Sequence, residues 1–276
     1  FFISACSLNK NQVITNKNIN VTKTNDIKRI VTLTSLTTDI IFNLTPEKLV
    51  GIPDSSLFVN DKILQVIPKI SKGRTPPNLE KIIELEPDLV IGAKGFHDKS
   101  LKSIENLGIK TISTSVKNWN DLEDLFIDLA DSVGSDPLLL NSKITSCFLP
   151  LPNTNNKKSI LVLVSSKPLL APNSNSWAGT MLERFNINNL TSEIDSKGPF
   201  KGYVNLSEEW LVKQNPKNLI LVDFKNKDLS EFSGLSFWNK LEAVNKNNIS
   251  ILNYYGFINP GSLKSIDDAC KGLAKI

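Results

Sequence analysis

Asn78-Leu79-Glu80-Lys81-Ile82-Ile83-Glu84-Leu85-Glu86-Pro87-Asp88-Leu89-Val90-Ile91 is the stretch whose reading decides the fold. Asn78 can cap a short helix, Pro87 forces that helix to end, and the apolar run 89–91 reads as a buried strand. The same frame returns at Ser207: Glu209 stands seven residues before Pro216, as Glu80 stands seven before Pro87, and Leu219-Ile220-Leu221-Val222 follows. Each copy is therefore helix, break, strand. Any α/β chain holds several helix-to-strand connections, so the matched spacing from glutamate to proline is what points to two equivalent lobes. Each lobe then carries one carboxylate in the first turn of a helix. The helix dipole favours a negative charge there, which by itself explains only a solvated glutamate. Recurrence at the same place in both copies argues for a role.

Working outward, residues 29–33 read as a strand, Ser35 and Thr37 lead into a helix ending near Leu44, and residues 49–52 read as a second strand, a βαβ opening. A loop bearing glycine and proline at 72–77 precedes the first repeat helix. Beyond strand 89–91, an amphipathic helix over 98–107 stops at Gly108, and residues 111–114 form a further strand. Between 120 and 149 the character changes to apolar residues at helical spacing, with Leu122, Leu125, Phe126, Leu129 and Val133 on one face and no strand. A helical connection of this kind restricts hinge motion more than a Gly-Ser linker. A second series follows: strand 159–164, a helix near 179–185, the second repeat copy, strand 249–252 and a helix from Ser262 onward. The expected fold is α/β, two Rossmann-like lobes with central, mainly parallel sheets joined by a long interdomain helix. Its divisions are a tether over 1–27, a first lobe over 28–118, a helical connection over 119–156 and a second lobe over 157–276.

The 276 residues are 40% hydrophobic and 22% charged, and the formal charge of +4 is spread among interleaved lysines and acids. No block of like charge resembles a nucleic-acid-binding arm. Phe1-Phe2-Ile3-Ser4-Ala5-Cys6-Ser7 resembles a bacterial lipobox, which implies lipidation at Cys6, with the polar run 9–26 as a tether to a membrane outside the cell or in the periplasm. No later run reaches the roughly 20 apolar residues that a membrane helix needs. Cys147 and Cys270 stand far apart among apolar helix residues; they read as buried free thiols, with a disulfide as the alternative.

Catalytic signatures are scarce. His97 is the single histidine, neither a GxSxG elbow nor a P-loop is present, and Gly92-Ala93-Lys94-Gly95 lacks the spacing of a phosphate loop. An enzyme is not expected, nor is a cofactor. A bare zinc or manganese site would normally recruit several histidines and carboxylates.

From Arg29 onward the chain resembles the class III periplasmic substrate-binding proteins of ABC importers, the family that captures ferric siderophores, haem and cobalamin. The resemblance lies in Arg29-Ile30-Val31-Thr32-Leu33-Thr34-Ser35 with Thr38-Asp39-Ile40-Ile41-Phe42, in Leu49-Val50-Gly51-Ile52, and above all in residues 78–91. In the second half it rests on Leu206-Ser207-Glu208-Glu209, Pro216 and Pro260-Gly261. It implies two α/β lobes with a ligand between them and a small closing motion. It further implies that Glu80 and Glu209, one per lobe, dock on arginines of the two transporter membrane subunits, with Glu208 as the alternative register. The chain departs from the family pattern at Asp39, where glutamate is frequent, and at Ser262-Leu263, where Pro-Arg commonly follows Pro-Gly.

Ligand contacts are assigned by position, on loops after strands or before helices. From the first lobe these are Ser35, Arg74, Phe96 and His97. From the second they are Trp177, Tyr203, Phe224, Tyr254, Tyr255 and Phe257. Core packing is the alternative for each aromatic residue, and an exposed loop position the alternative for His97. The set suits a large ring-bearing ligand by stacking, or an anionic iron complex through Arg74, Lys94 or Lys201. The expected function is an extracytoplasmic solute-binding lipoprotein carrying a siderophore-type iron complex, or alternatively cobalamin or haem, to an ABC importer.

Overall fold

A computed structural model describes residues 27–72, 75–149, 158–196, 201–224 and 230–276. Five strands build the first sheet: β1 (Ile30–Thr32), β2 (Leu49–Asp54), β3 (Lys69–Lys72), β4 (Leu89–Ala93) and β5 (Lys110–Thr114). They lie in the order β3-β2-β1-β4-β5 and every pairing is parallel. Parallel sheets bury both faces, which is why the central strands, Ile30-Val31-Thr32 in β1 and Leu89-Val90-Ile91 in β4, are at 0% exposure and almost wholly apolar. The strand order reverses between β1 and β4, so the crevice at their carboxyl ends is the natural ligand position. The strand β3 has no counterpart in the sequence reading, because Ile70 is its single fully buried apolar side chain.

The second half contributes β6 (Ser159–Leu163), β7 (Ser165–Ser166), β8 (Leu169–Pro172), β9 (Asn188–Asn189), β10 (Tyr203–Asn205), β11 (Leu219–Asp223) and β12 (Ile249–Asn253). Four of these form a parallel sheet in the order β12-β11-β6-β9, and β10-β8-β7 form a small antiparallel sheet beside it. The two halves are thus the expected parallel α/β units, with an antiparallel addition that the alternation of strands and helices does not foretell.

The repeat is visible in atomic detail. Asn78 caps the helix Leu79–Glu84 by accepting from the N–H of Lys81, and Ser207 caps the helix Glu208–Gln214 by accepting from the N–H of Trp210. Glu80 and Glu209 therefore occupy the same second helical position, and both are exposed. Both breaks pass through the left-handed region immediately before the proline, at Glu86 (φ 43°) and Asn215 (φ 42°).

Between the sheets runs the helix Trp119–Val133, capped by Asn118 and closed by Gly134 at φ 72°. No described helix is long and apolar enough to cross a membrane. The helix Leu263–Leu273 is fastened at three points to segments outside its own sheet. The N–H of Leu263 donates to Asp39 Oδ2 at 2.7 Å, the N–H of Ser146 donates to Asp267 Oδ1 at 2.8 Å, and Cys270 is bonded to Cys147. Burial pushes the Asp39 carboxyl above its ordinary range, an effect opposed by the bonds from Leu263 and Asn43. The two departures from the family pattern, Asp39 and Ser262-Leu263, thus meet in one hydrogen bond.

The disulfide corrects the free-thiol expectation. Helical surroundings favour inert buried thiols, but the short 3₁₀ turn Thr145–Phe148 brings the Cys147 and Cys270 Cα atoms to 5.1 Å, inside bonding range.

Candidate functional site

The carboxyl ends of the two parallel sheets meet. Leu57, in the turn after β2, and Tyr255, after β12, both approach Gly261 so closely that a side-chain carbon there would lie 2.8 Å from Leu57 Cδ1 and 2.7 Å from Tyr255 Cδ1. A side chain at this position would have to push Leu57 or Tyr255 aside, so the glycine marks where one half touches the other.

On the first-sheet side, Ser35 opens the helix Ser35–Leu44 directly after β1 and is half-buried. The turn after β4 is tightly tied. The N–H of Ala93 donates to His97 Nδ1 at 3.0 Å, the N–H of Gly95 donates to Asp98 Oδ1 at 2.8 Å, and Gly95 takes φ 80°. This turn leaves Phe96 63% exposed, with its ring edge-to-face on His97 at 4.8 Å. Ser35 and the Phe96 turn flank the reversal point between β1 and β4. Lys94 and Lys201 are both exposed. Arg74 and Cys6 lie outside the described residues.

His97 itself is 6% exposed, so neither a ligand-facing imidazole nor an exposed loop histidine describes it. Its Nδ1 accepts a backbone bond, so the proton of the neutral ring sits on Nε2. Burial lowers its pKa, with the Asp98 carboxylate acting in the opposite sense. The unfolded ring takes up a proton near 6.5 while the folded ring resists until lower pH. Its contribution to stability is complete above that value and is lost as the pH falls from there through the folded value. Thermal denaturation of His97→Asn should show a flatter loss of stability below pH 6.5 than the parent, since the amide oxygen can replace Nδ1 as acceptor without titrating. Parallel slopes would refute this.

On the second-sheet side, Phe224 directly follows β11 and Tyr254-Tyr255 directly follow β12. The rings of Phe224 and Tyr254 pack edge-to-face at 4.9 Å, those of Tyr254 and Tyr255 at 5.5 Å, and Phe224 is tilted against Tyr255 at 6.4 Å. Tyr203, the first residue of β10, is half-buried beside them. Burial, with the neighbouring Tyr254 adding to it, holds its phenol far above the ordinary tyrosine range.

Trp177 and Phe257 are not at this surface. Trp177 is 3% exposed, stacks on Trp119 at 5.9 Å and donates its indole N–H to the Gly256 carbonyl at 2.8 Å. Phe257 is 0% exposed. Loop position suggests both as contact residues, with a turn-rich run before Trp177 in addition, yet both support the turn that carries the tyrosines. Gly256 sits between them at φ 93°, where a side-chain carbon would fall 1.8 Å from the Ser265 carbonyl oxygen. What sequence reading missed is Leu57, which no motif marks and only the approach to Gly261 reveals.

A shallow depression of about 440 Å³, lined by Lys158, Ser159, Leu190 and residues 214–218, opens at the amino-terminal edge of β6 and β11. It lies at the opposite end of the strands from the aromatic cluster.

The sequence pattern of the family described as "Periplasmic binding protein" matches residues 30–254. The uncharacterised ABC transporter substrate-binding lipoprotein YvrC of Bacillus subtilis is 25% identical over 245 residues, 82% of this chain and 73% of that protein. The Fe(3+)-citrate-binding protein YfmC of the same organism is 25% identical over 262 residues, 90% of this chain and 80% of the relative. The crystal structure of the periplasmic vitamin B12 binding protein BtuF of Vibrio cholerae superposes with a TM-score of 0.64 at 19% identity, covering 91% of this chain and 98% of that one. The match over the strands of both parallel sheets places the chain in the periplasmic binding protein family, among the class III substrate-binding proteins of ABC importers, which bind a substrate for transport and are not enzymes.

Proposed function

We propose that this chain is an extracytoplasmic lipoprotein that takes up a siderophore-type iron complex between its two sheets and delivers it to an ABC importer. The observation that carries the reading is the aromatic cluster of Phe224, Tyr203, Tyr254 and Tyr255 at the seam where the carboxyl ends of both sheets meet. Rings in that position offer stacking faces to a large ligand, and the reversal point of a parallel sheet is where α/β proteins hold theirs. Ser35 and Phe96 would face the ligand from the first sheet, and Arg74, Lys94 or Lys201 would supply positive charge. The iron complex named for YfmC supports the choice of cargo, and the lipoprotein name of YvrC supports lipidation at Cys6. The matched positions of Glu80 and Glu209 support docking to two membrane subunits, since two well-separated charges orient one protein over a two-fold partner.

The four tryptophans allow a fluorescence titration of the purified protein. Ferric citrate and ferric complexes of a trihydroxamate and a tricatecholate serve as ligands, with haemin and cyanocobalamin in parallel. At least one ferric complex is expected to bind with a Kd of about 1 μM or tighter, a binding free energy of about −8 kcal/mol. Binding of cyanocobalamin or haemin alone would replace the iron-chelate reading with that ligand. Submicromolar binding of bare Zn²⁺ or Mn²⁺ would overturn it in favour of a metal-ion carrier.

A further inference from the structure

Two contacts of different kinds hold the first half against the same few residues of the second. Leu57, in the turn after β2, approaches Gly261. Two residues further on, Asp39 Oδ2 accepts the N–H of Leu263 at 2.7 Å, across a sequence separation of 224. Asp39 stands one turn beyond Ser35 in the helix Ser35–Leu44, so side chains 35 and 39 share one face of it. Its other oxygen, Oδ1, accepts from Asn43 Nδ2 at 3.0 Å, which steadies the carboxylate from within its own helix. Leu263 opens the helix Leu263–Leu273, whose capping box of Ser262 and Ser265 satisfies the third N–H and leaves the first to Asp39. A negative charge at a helix N-terminus is favourable, yet burial works against this one, so the placement is costly. An apolar contact such as Leu57 on Gly261 has no direction and tolerates sliding. A charged hydrogen bond between two braced partners does not.

Resting on the reading of the seam as the ligand site, we propose that Asp39 is a positioning residue for substrate capture, whose bond to Leu263 sets the register of the two halves and with it the separation of the cleft walls. The segment from Tyr254 to Gly261 is stiff enough to carry that register to the tyrosines. The N–H groups of Ile258 and Asn259 both donate to the Tyr254 carbonyl, at 2.9 and 3.0 Å, and those of Gly256 and Gly261 both donate to the Asn259 carbonyl at 2.7 Å. Trp177 holds the same turn through the Gly256 carbonyl. One wall thus moves with Leu263, and the other begins at Ser35, a single turn from Asp39. Alanine at position 39 leaves the Leu263 N–H without its acceptor, and a displacement of the halves that admits water relieves the loss. Asp39 and Ser262-Leu263 are also the places where the sequence departs from the family pattern, so the bond is built from residues that the pattern does not supply.

The test compares the parent protein with Asp39→Ala and with Asp39→Asn, the conservative variant that keeps an oxygen for Leu263. Nitroxide labels on Lys99→Cys and Lys213→Cys, both exposed and one in each half, report the separation of the halves by electron–electron double resonance. Cys6→Ser removes the remaining thiol, since Cys147 and Cys270 are bonded to each other. Without ligand, Asp39→Ala should shift or broaden the distance distribution by about 2 Å or more, while Asp39→Asn keeps the parent distance. The ferric complex that binds most tightly should lose about 10-fold in affinity in Asp39→Ala, through faster dissociation, and no more than about 3-fold in Asp39→Asn. A lowered Tm in Asp39→Ala with distances and affinity at parent values overturns the proposal and leaves the bond a contact for stability alone. If no ferric complex binds the parent protein, the iron-chelate reading fails, while the distances measured without ligand still decide whether Asp39 sets the register.

Discussion

Uptake is expected to fall to background when Glu80 and Glu209 are both replaced by alanine, with ligand affinity unchanged. Both carboxylates sit at the second position of a capped helix, are exposed, and have no partner among the described residues. Their removal deletes at most a helix-dipole contribution of about 0.3–1 kcal/mol each, too little to unfold a protein of this size. Glu208, one position earlier, is approached by the Ser236 hydroxyl at 3.3 Å and occupies a place that the first copy fills with Leu79. Glu208→Ala is therefore the control and should transport normally. Cells lacking their own copy and supplied with each variant, assayed with a radiolabelled iron complex, give the readout, with fluorescence titration of the purified proteins alongside. Undiminished uptake by the double variant, or a loss of affinity, would reject the docking assignment.

Removing the Cys147–Cys270 bridge should lower the stability to unfolding by about 2–5 kcal/mol. The bond closes a sequence separation of 123 residues, so its loss frees a long loop in the unfolded chain. Both sulfur-bearing residues are buried, at 4% and 0% exposure, so the native fold shields the bond from dissolved thiols. Urea unfolding of Cys147→Ala/Cys270→Ala against the parent, with and without reductant, separates the effects. The parent should move towards the variant only when reductant is present during unfolding. A variant as stable as the parent under oxidising conditions would show that the bridge adds nothing to the neighbouring Asp267 and Asp39 fastenings.

Local rules made much of this fold legible. A capping side chain, a proline and an apolar run are short-range signals, so the helix-break-strand copies at 78–91 and 207–222 could be read directly, including their prolines. Strand β3 could not, because Lys69, Ser71 and Lys72 surround one buried isoleucine and leave no period to detect. The short strands β7, β9 and β10 carry polar residues such as Ser165, Asn188 and Asn205, whose pairing is decided by partners distant in sequence. Cysteine pairing is likewise a tertiary fact.

The site was legible by address more than by side chain. Loops after strands direct attention to both sheet ends, but position cannot say which ring turns inward. Trp177 follows an Asn-Ser run that signals a turn, yet its indole finds a backbone acceptor in a distant segment and is withdrawn from the surface. His97 is hidden because a backbone N–H four residues earlier claims its ring.

The fastening of helix Leu263–Leu273 has a consequence for the order of folding. This segment follows every strand in the chain, yet it holds the groups that join Asp39, Ser146 and Cys147. Both sheets can be synthesised in full and still lack the piece that locks them together. Assembly of this molecule is therefore closed by a late-arriving latch, and a nascent chain halted before Ser262 would leave Ile40, Ile41 and Phe257 without the apolar face that completes their shared core.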